Sequence, residues 1–139
     1  MTLKVVRTTM AAAIVTVLLV PAVSAAAEPA NAAPTFTKDV APIVQRSCQT
    51  CHRPGQMGPM SLLTYEEVRP YARAIKAKVS SREMPPWGVD RYLGIQEFKN
   101  DISLSDSEIA TIERWVDAGA PMGDPAHLPA PRKFLSESE

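Results

Sequence analysis

Aromatic residues, cysteine and histidine are all scarce in this chain. Of 139 residues, three are Phe, two Trp, three Tyr and two each are Cys and His. Charge of either sign is not in excess, with 15 basic against 15 acidic residues, so there is no electrostatic case for nucleic acid as a partner. No run alternates apolar and polar with period two, and no strand–helix–strand pattern occurs, which leaves an all-α plan. A membrane-spanning run is missing too. The apolar block AAAIVTVLLV is cut off by Pro21, whereas about 20 apolar residues are needed to span. Lys4 and Arg7 precede the block without any acid, and small-residue cleavage sites such as Val23-Ser24-Ala25 or Ala25-Ala26-Ala27 follow it. That is the layout of a signal peptide over residues 1–27. It implies an exported, periplasmic protein that touches the membrane only if the leader stays uncleaved. Its removal takes Lys4 and Arg7 away and leaves a mildly acidic, mature chain.

The length suits one domain. Residues 28–35 read as a linker, 36–120 as the ordered domain and 121–139 as an extended, loose tail marked by Pro121, Pro125, Pro129 and Pro131. Val40, Ile43 and Val44 predict a helix over 37–46, with Pro42 tolerated only near its first turn. Thr64 and Glu67 have capping-box spacing. Pro70 then makes a single turn followed by a new helix near Arg69 the natural reading, with Val68, Ala72, Ile75 and Val79 as its apolar stripe. Ser105 and Glu108 form a second capping box for a final helix over 106–118, carrying Ile109, Ile112 and Val116, with Gly119 placed to end it. Three to four short helices joined by long loops make a thin core. Such domains usually need a staple or an enclosed cofactor.

Both cysteines fall in the run SCQTCHRPGQMGPM, residues 47–60. Three chemistries use thiols three apart. A thiol–disulfide oxidoreductase acting through Cys48 and Cys51 would place them at a helix N-terminus after a strand, and no strand precedes them. A zinc site would need four ligands, and beyond the two thiols and His52 only the remote His127 is on offer. Covalent haem accounts for each element: Cys48 and Cys51 reach the two vinyl groups along one edge of the ring, and His52, the next residue, ligates the iron.

On these residues the chain resembles the class I c-type cytochromes over about 36–120. The resemblance implies a small cytochrome c-like fold wrapped around one haem c. It implies that the Pro59 carbonyl accepts the Nδ1 proton of His52, and that Met84-Pro85-Pro86 is the loop bearing the sixth ligand. More narrowly, HRPG, PMSLLTYEEVRPYA, MPPW and WVDAGAPMGDP look like the haem modules found beside bacterial ascorbate-dependent copper monooxygenase domains. A copper monooxygenase or another exported oxidoreductase is then the expected redox partner. For the sixth position, Met60 is within reach but would leave no room for the proline contact, Met122 lies beyond the last helix, and His127 is expected at the surface. Met84 follows a full helix that can carry the chain to the far side of the ring, and Trp87 beside it is the expected haem neighbour. The expected function is therefore an electron carrier rather than an enzyme. The alternatives are a haem enzyme or sensor with an open sixth position and a thiol–disulfide oxidoreductase using Cys48 and Cys51.

Overall fold

A computed structural model of the chain describes residues 32–89, 92–94 and 98–134. The signal-peptide assignment, the start of the linker and the last five residues lie outside the described residues. Among those described, all regular structure is helical and none of the helices is long and apolar enough to cross a membrane.

A wide π-helical turn, Phe36–Val40, leads into α1, Ala41–Ser47. Together they cover the expected 37–46 helix. Pro42 sits in the first turn of α1, where its missing N–H costs nothing. The widened turn before it relieves the clash that a proline ring makes with the carbonyl four residues back. After a long loop, α2, Tyr65–Val68, begins on Thr64, whose hydroxyl accepts from the Glu67 amide at 3.3 Å. The Glu67 carboxylate accepts in return from the amides of Thr64 at 3.1 Å and Leu63 at 2.8 Å. It also accepts from the Ser61 hydroxyl, and that bond is the main reason its carboxyl is held below the usual range. Pro70 lies in a 3-10 turn, Arg69–Tyr71, that joins α2 to α3, Ala72–Ser80. The last helix, α4, runs Asp106–Asp117.

Ser105 caps α4 as its spacing indicates, accepting from the Glu108 amide at 3.2 Å while Glu108 accepts from the Ser105 amide at 2.9 Å. Replacing Ser105 by alanine is expected to cost about 1 kcal/mol, read as a lower urea midpoint with an unchanged denaturant slope.

The amphipathic stripes converge on two clusters. Phe36, Val40, Val44, Leu62, Val68 and Trp115 form one, while Ile43, Val79, Leu104, Ile109 and Ile112 form the other. Ile75 and Val116 pack against both and join them. Arg46 fastens α1 to the start of α4, pairing with Glu108 at 2.8 Å and donating to Ser103 O at 3.1 Å.

The segment after α4 corrects one expectation. Its described part, to Phe134, is neither wholly extended nor loose: it makes a 3-10 turn at Pro125–His127 and is tied back to the domain. Gly119 leaves the helix at φ +90°, a backbone state that glycine adopts without penalty. The chain then turns back along the N-terminal turn, where the amides of Phe36 and Thr37 donate to Pro121 O and Met122 O, both at 2.9 Å. Farther on, Gln45 Nε2 donates to Ala130 O at 3.2 Å. The tail is held by backbone pairing and side-chain bonds to α1, which its proline content does not reveal.

Candidate functional site

Helix α1 stops at Ser47, and a tight turn follows it. The Cys48 amide bonds Val44 O at 2.9 Å, and the Cys51 and His52 amides both bond Cys48 O, at 3.2 and 3.0 Å. Residues 48–52 thus form a hydrogen-bonded turn directly after α1, closed on Cys48 O. It carries Cys48, Cys51 and His52 within five consecutive residues. Between the thiols, Gln49 is buried and its Nε2 donates to Leu62 O at 3.0 Å. The Leu62 amide bonds His52 O at 3.0 Å and the Gly58 amide bonds Cys51 O at 2.8 Å. These bonds fold the 53–61 loop back over the imidazole.

His52 Nδ1 lies 3.3 Å from Met60 O. With the Nδ1 proton donated there, the Nε2 lone pair is left free for a ligand. The acceptor is therefore the carbonyl of Met60 and not that of Pro59, which the resemblance implied. The reason is the closure at Gly58: once its amide is spent on Cys51 O, the loop brings the second residue after Gly58 over the ring, and Pro59 itself is exposed. Gly58 is tight for the same reason. A methyl there would lie 2.6 Å from His52 Nδ1 and 2.7 Å from Cys51 O.

Cys48 and Cys51 are not joined to each other. Burial pushes the Cys48 thiol up to about 11, against a smaller opposing pull from the Arg46 charge and a small push from Cys51. Cys48 also sits at the C-terminal end of α1, the negative end of the helix dipole. An attacking thiol needs the reverse of both conditions. Among the described residues no group of three or more His, Cys, Asp or Glu side chains is placed to hold a metal ion, and His127 is exposed.

Met84 and Trp87 lie elsewhere in the loop after α3. That loop is anchored where the Met84 amide bonds Lys78 O at 3.1 Å and Arg82 pairs with Asp106. Met84 and Trp87 line a cavity of about 400 Å³ with Val79, Leu104 and Ile109, and the Trp87 ring meets Phe98 edge-on at 5.8 Å. No residue of the 48–60 loop lines this cavity. The structure thus brings together Cys48, Cys51, His52 and Met60 as one group and Met84 with Trp87 as another. Of the other methionines, Met57 is exposed and Met60 packs against the first core cluster. Gln49 and the Met60 carbonyl escape sequence reasoning. Gln49 carries no local signal of burial, and a carbonyl acceptor carries no residue signature at all. No protein-family model, curated protein or solved structure matches the chain.

Proposed function

We propose that the chain is an exported, monohaem c-type cytochrome: a cytochrome c-like fold around one haem attached through Cys48 and Cys51, with His52 and Met84 as axial ligands. The observation that carries this reading is the 48–52 turn itself. It offers two thiols not joined to each other and an imidazole directly after the second, with Nδ1 placed 3.3 Å from Met60 O so that a proton donated there would leave Nε2 for a ligand. The close approach of Gly58 to the ring supports it further, because a cradle that tight sets the plane of the imidazole. When bound, the haem supplies a one-electron ferric–ferrous couple.

The chain's own groups tune that couple. Met60 O, by accepting from Nδ1, makes the other nitrogen of His52 a stronger donor. The Met84 thioether favours the reduced state relative to a second nitrogen ligand. Single-electron relay between exported redox partners follows, a copper monooxygenase or another oxidoreductase among them.

A second reading, a haem enzyme or sensor with an open sixth position, is favoured by one observation. Met84 is 42% exposed, in a cavity that the His52 loop does not line. Carbon monoxide decides between them. With Met84 as ligand, the reduced wild-type spectrum resists carbon monoxide while Met84→Ala binds it rapidly. Equal, rapid binding by both would establish the open site.

A further inference from the structure

The tail returns to the 48–52 turn and grips it. Arg132 Nη1 donates to Gln45 O at 2.9 Å, to Arg46 O at 3.3 Å and to Thr50 Oγ1 at 3.1 Å. The first two are carbonyls of the last turn of α1, which have no onward helical donor, and a cation there also opposes the helix dipole. Thr50 lies between the two cysteines. Arg53, the residue after His52, donates to Gln49 O at 3.2 Å and to Thr50 O. The Arg53 and Arg132 guanidiniums lie 4.2 and 5.2 Å from the centroid of the Phe134 ring, both within cation–π range. Gln49 Nε2, Thr50 Oγ1 and the carbonyls of both residues are thereby tied to Leu62, Arg53 or Arg132.

We propose that residues 129–134 are a clasp on the cofactor turn, with Arg132 and Arg53 as positioning residues for His52. The clasp rests on the cytochrome reading for its purpose but not for its contacts. Its role is to keep the turn from opening, so that the thiols and the imidazole hold their relative places. A looser turn would admit water to a bound haem, which would favour the ferric state and lower the reduction potential.

The test uses the full-length chain and its Arg132→Ala, Arg132→Lys and Phe134→Ala variants, with two readouts. The first is amide hydrogen exchange at Cys51, His52 and Gly58, with Ile112 in α4 as the monitor of global folding. Arg132→Ala is expected to speed exchange at the three turn amides about tenfold, since one to two net hydrogen bonds are lost, and to leave Ile112 unchanged. Phe134→Ala, which removes no hydrogen bond, is expected to speed the same amides less. The second readout is the reduction potential of the haem-loaded protein. It is expected to fall in both Arg132→Ala and Arg132→Lys, because lysine keeps the charge but not the fork. Unchanged exchange at the turn in Arg132→Ala overturns the clasp, as does an Arg132→Lys protein with wild-type exchange and potential. A chain that takes up no haem defeats the cytochrome reading instead, and the exchange measurement still decides the clasp.

Discussion

Trp115→Ala is expected to cost about 3–5 kcal/mol and to leave much of the haem-free chain unfolded. Trp115 is the largest fully buried side chain. Its ring packs 6.1 Å from that of Phe36, its Nε1–H donates to Pro121 O at 2.9 Å, and its carbonyl accepts from the Ala120 amide at 2.9 Å. One side chain therefore joins α4 to the N-terminal turn and to the start of the tail. Alanine would leave a cavity together with a Pro121 carbonyl that has lost a donor, and the two costs add. Single domains of this size have only about 5–15 kcal/mol in total. Urea denaturation followed by circular dichroism measures the loss. Trp115→Phe, which keeps most of the volume and drops the donor, should fall between alanine and wild type. A Trp115→Ala protein within about 1 kcal/mol of wild type, the ordinary effect of a mild substitution, would show that the residue is not the joint the packing makes it.

Gly58→Ala should displace the His52 ring. The added methyl meets Nδ1 at 2.6 Å, Cys51 O at 2.7 Å and Cγ at 2.8 Å. None of these can retreat cheaply, because Cys51 O is the acceptor of the Gly58 amide and the ring is tethered to Met60 O. Overpacking of this kind costs about 1–3 kcal/mol. Its signature is local: the His52 ring resonances shift, the Nδ1–H contact is lost, and the yield of haem-loaded protein falls. Gly55→Ala is the control. Gly55 has φ +79° with open space around it, so alanine there suffers backbone strain of about 1–2 kcal/mol yet leaves the ring where it is. Equal ring shifts in the two variants would mean that loop strain, and not the cradle, sets the imidazole.

What could be read along the chain was whatever neighbouring residues decide. Thr64 with Glu67 and Ser105 with Glu108 satisfy their helix ends within three residues, so their spacing alone announces them. The stripe of Val68, Ala72, Ile75 and Val79 follows from helical geometry, and three of the four are buried. The C-x-x-C-H spacing of Cys48, Cys51 and His52 is legible as sequence, and the turn that holds them follows directly on α1. The contacts that escaped are those closed from a distance. Met60 O lies over His52 in place of Pro59 O because Gly58 and Leu62 bond back across the loop. The grip of Arg132 on Gln45 and Thr50 crosses more than 80 positions of sequence, and a proline-rich tail has no pattern that foretells a partner so remote. Met84 was placed by the helix before it, and that argument fixes which end of α3 it occupies without fixing what it faces.

The central claim is covalent attachment at the 48–52 turn. The most direct measurement is the intact mass of the polypeptide, purified from cells able to mature c-type haem and then extracted with acidified acetone. The account predicts a mass raised by one haem that survives the extraction, and no thiol left to alkylate at Cys48 or Cys51. A colourless polypeptide with both thiols free, or joined to each other, would contradict it.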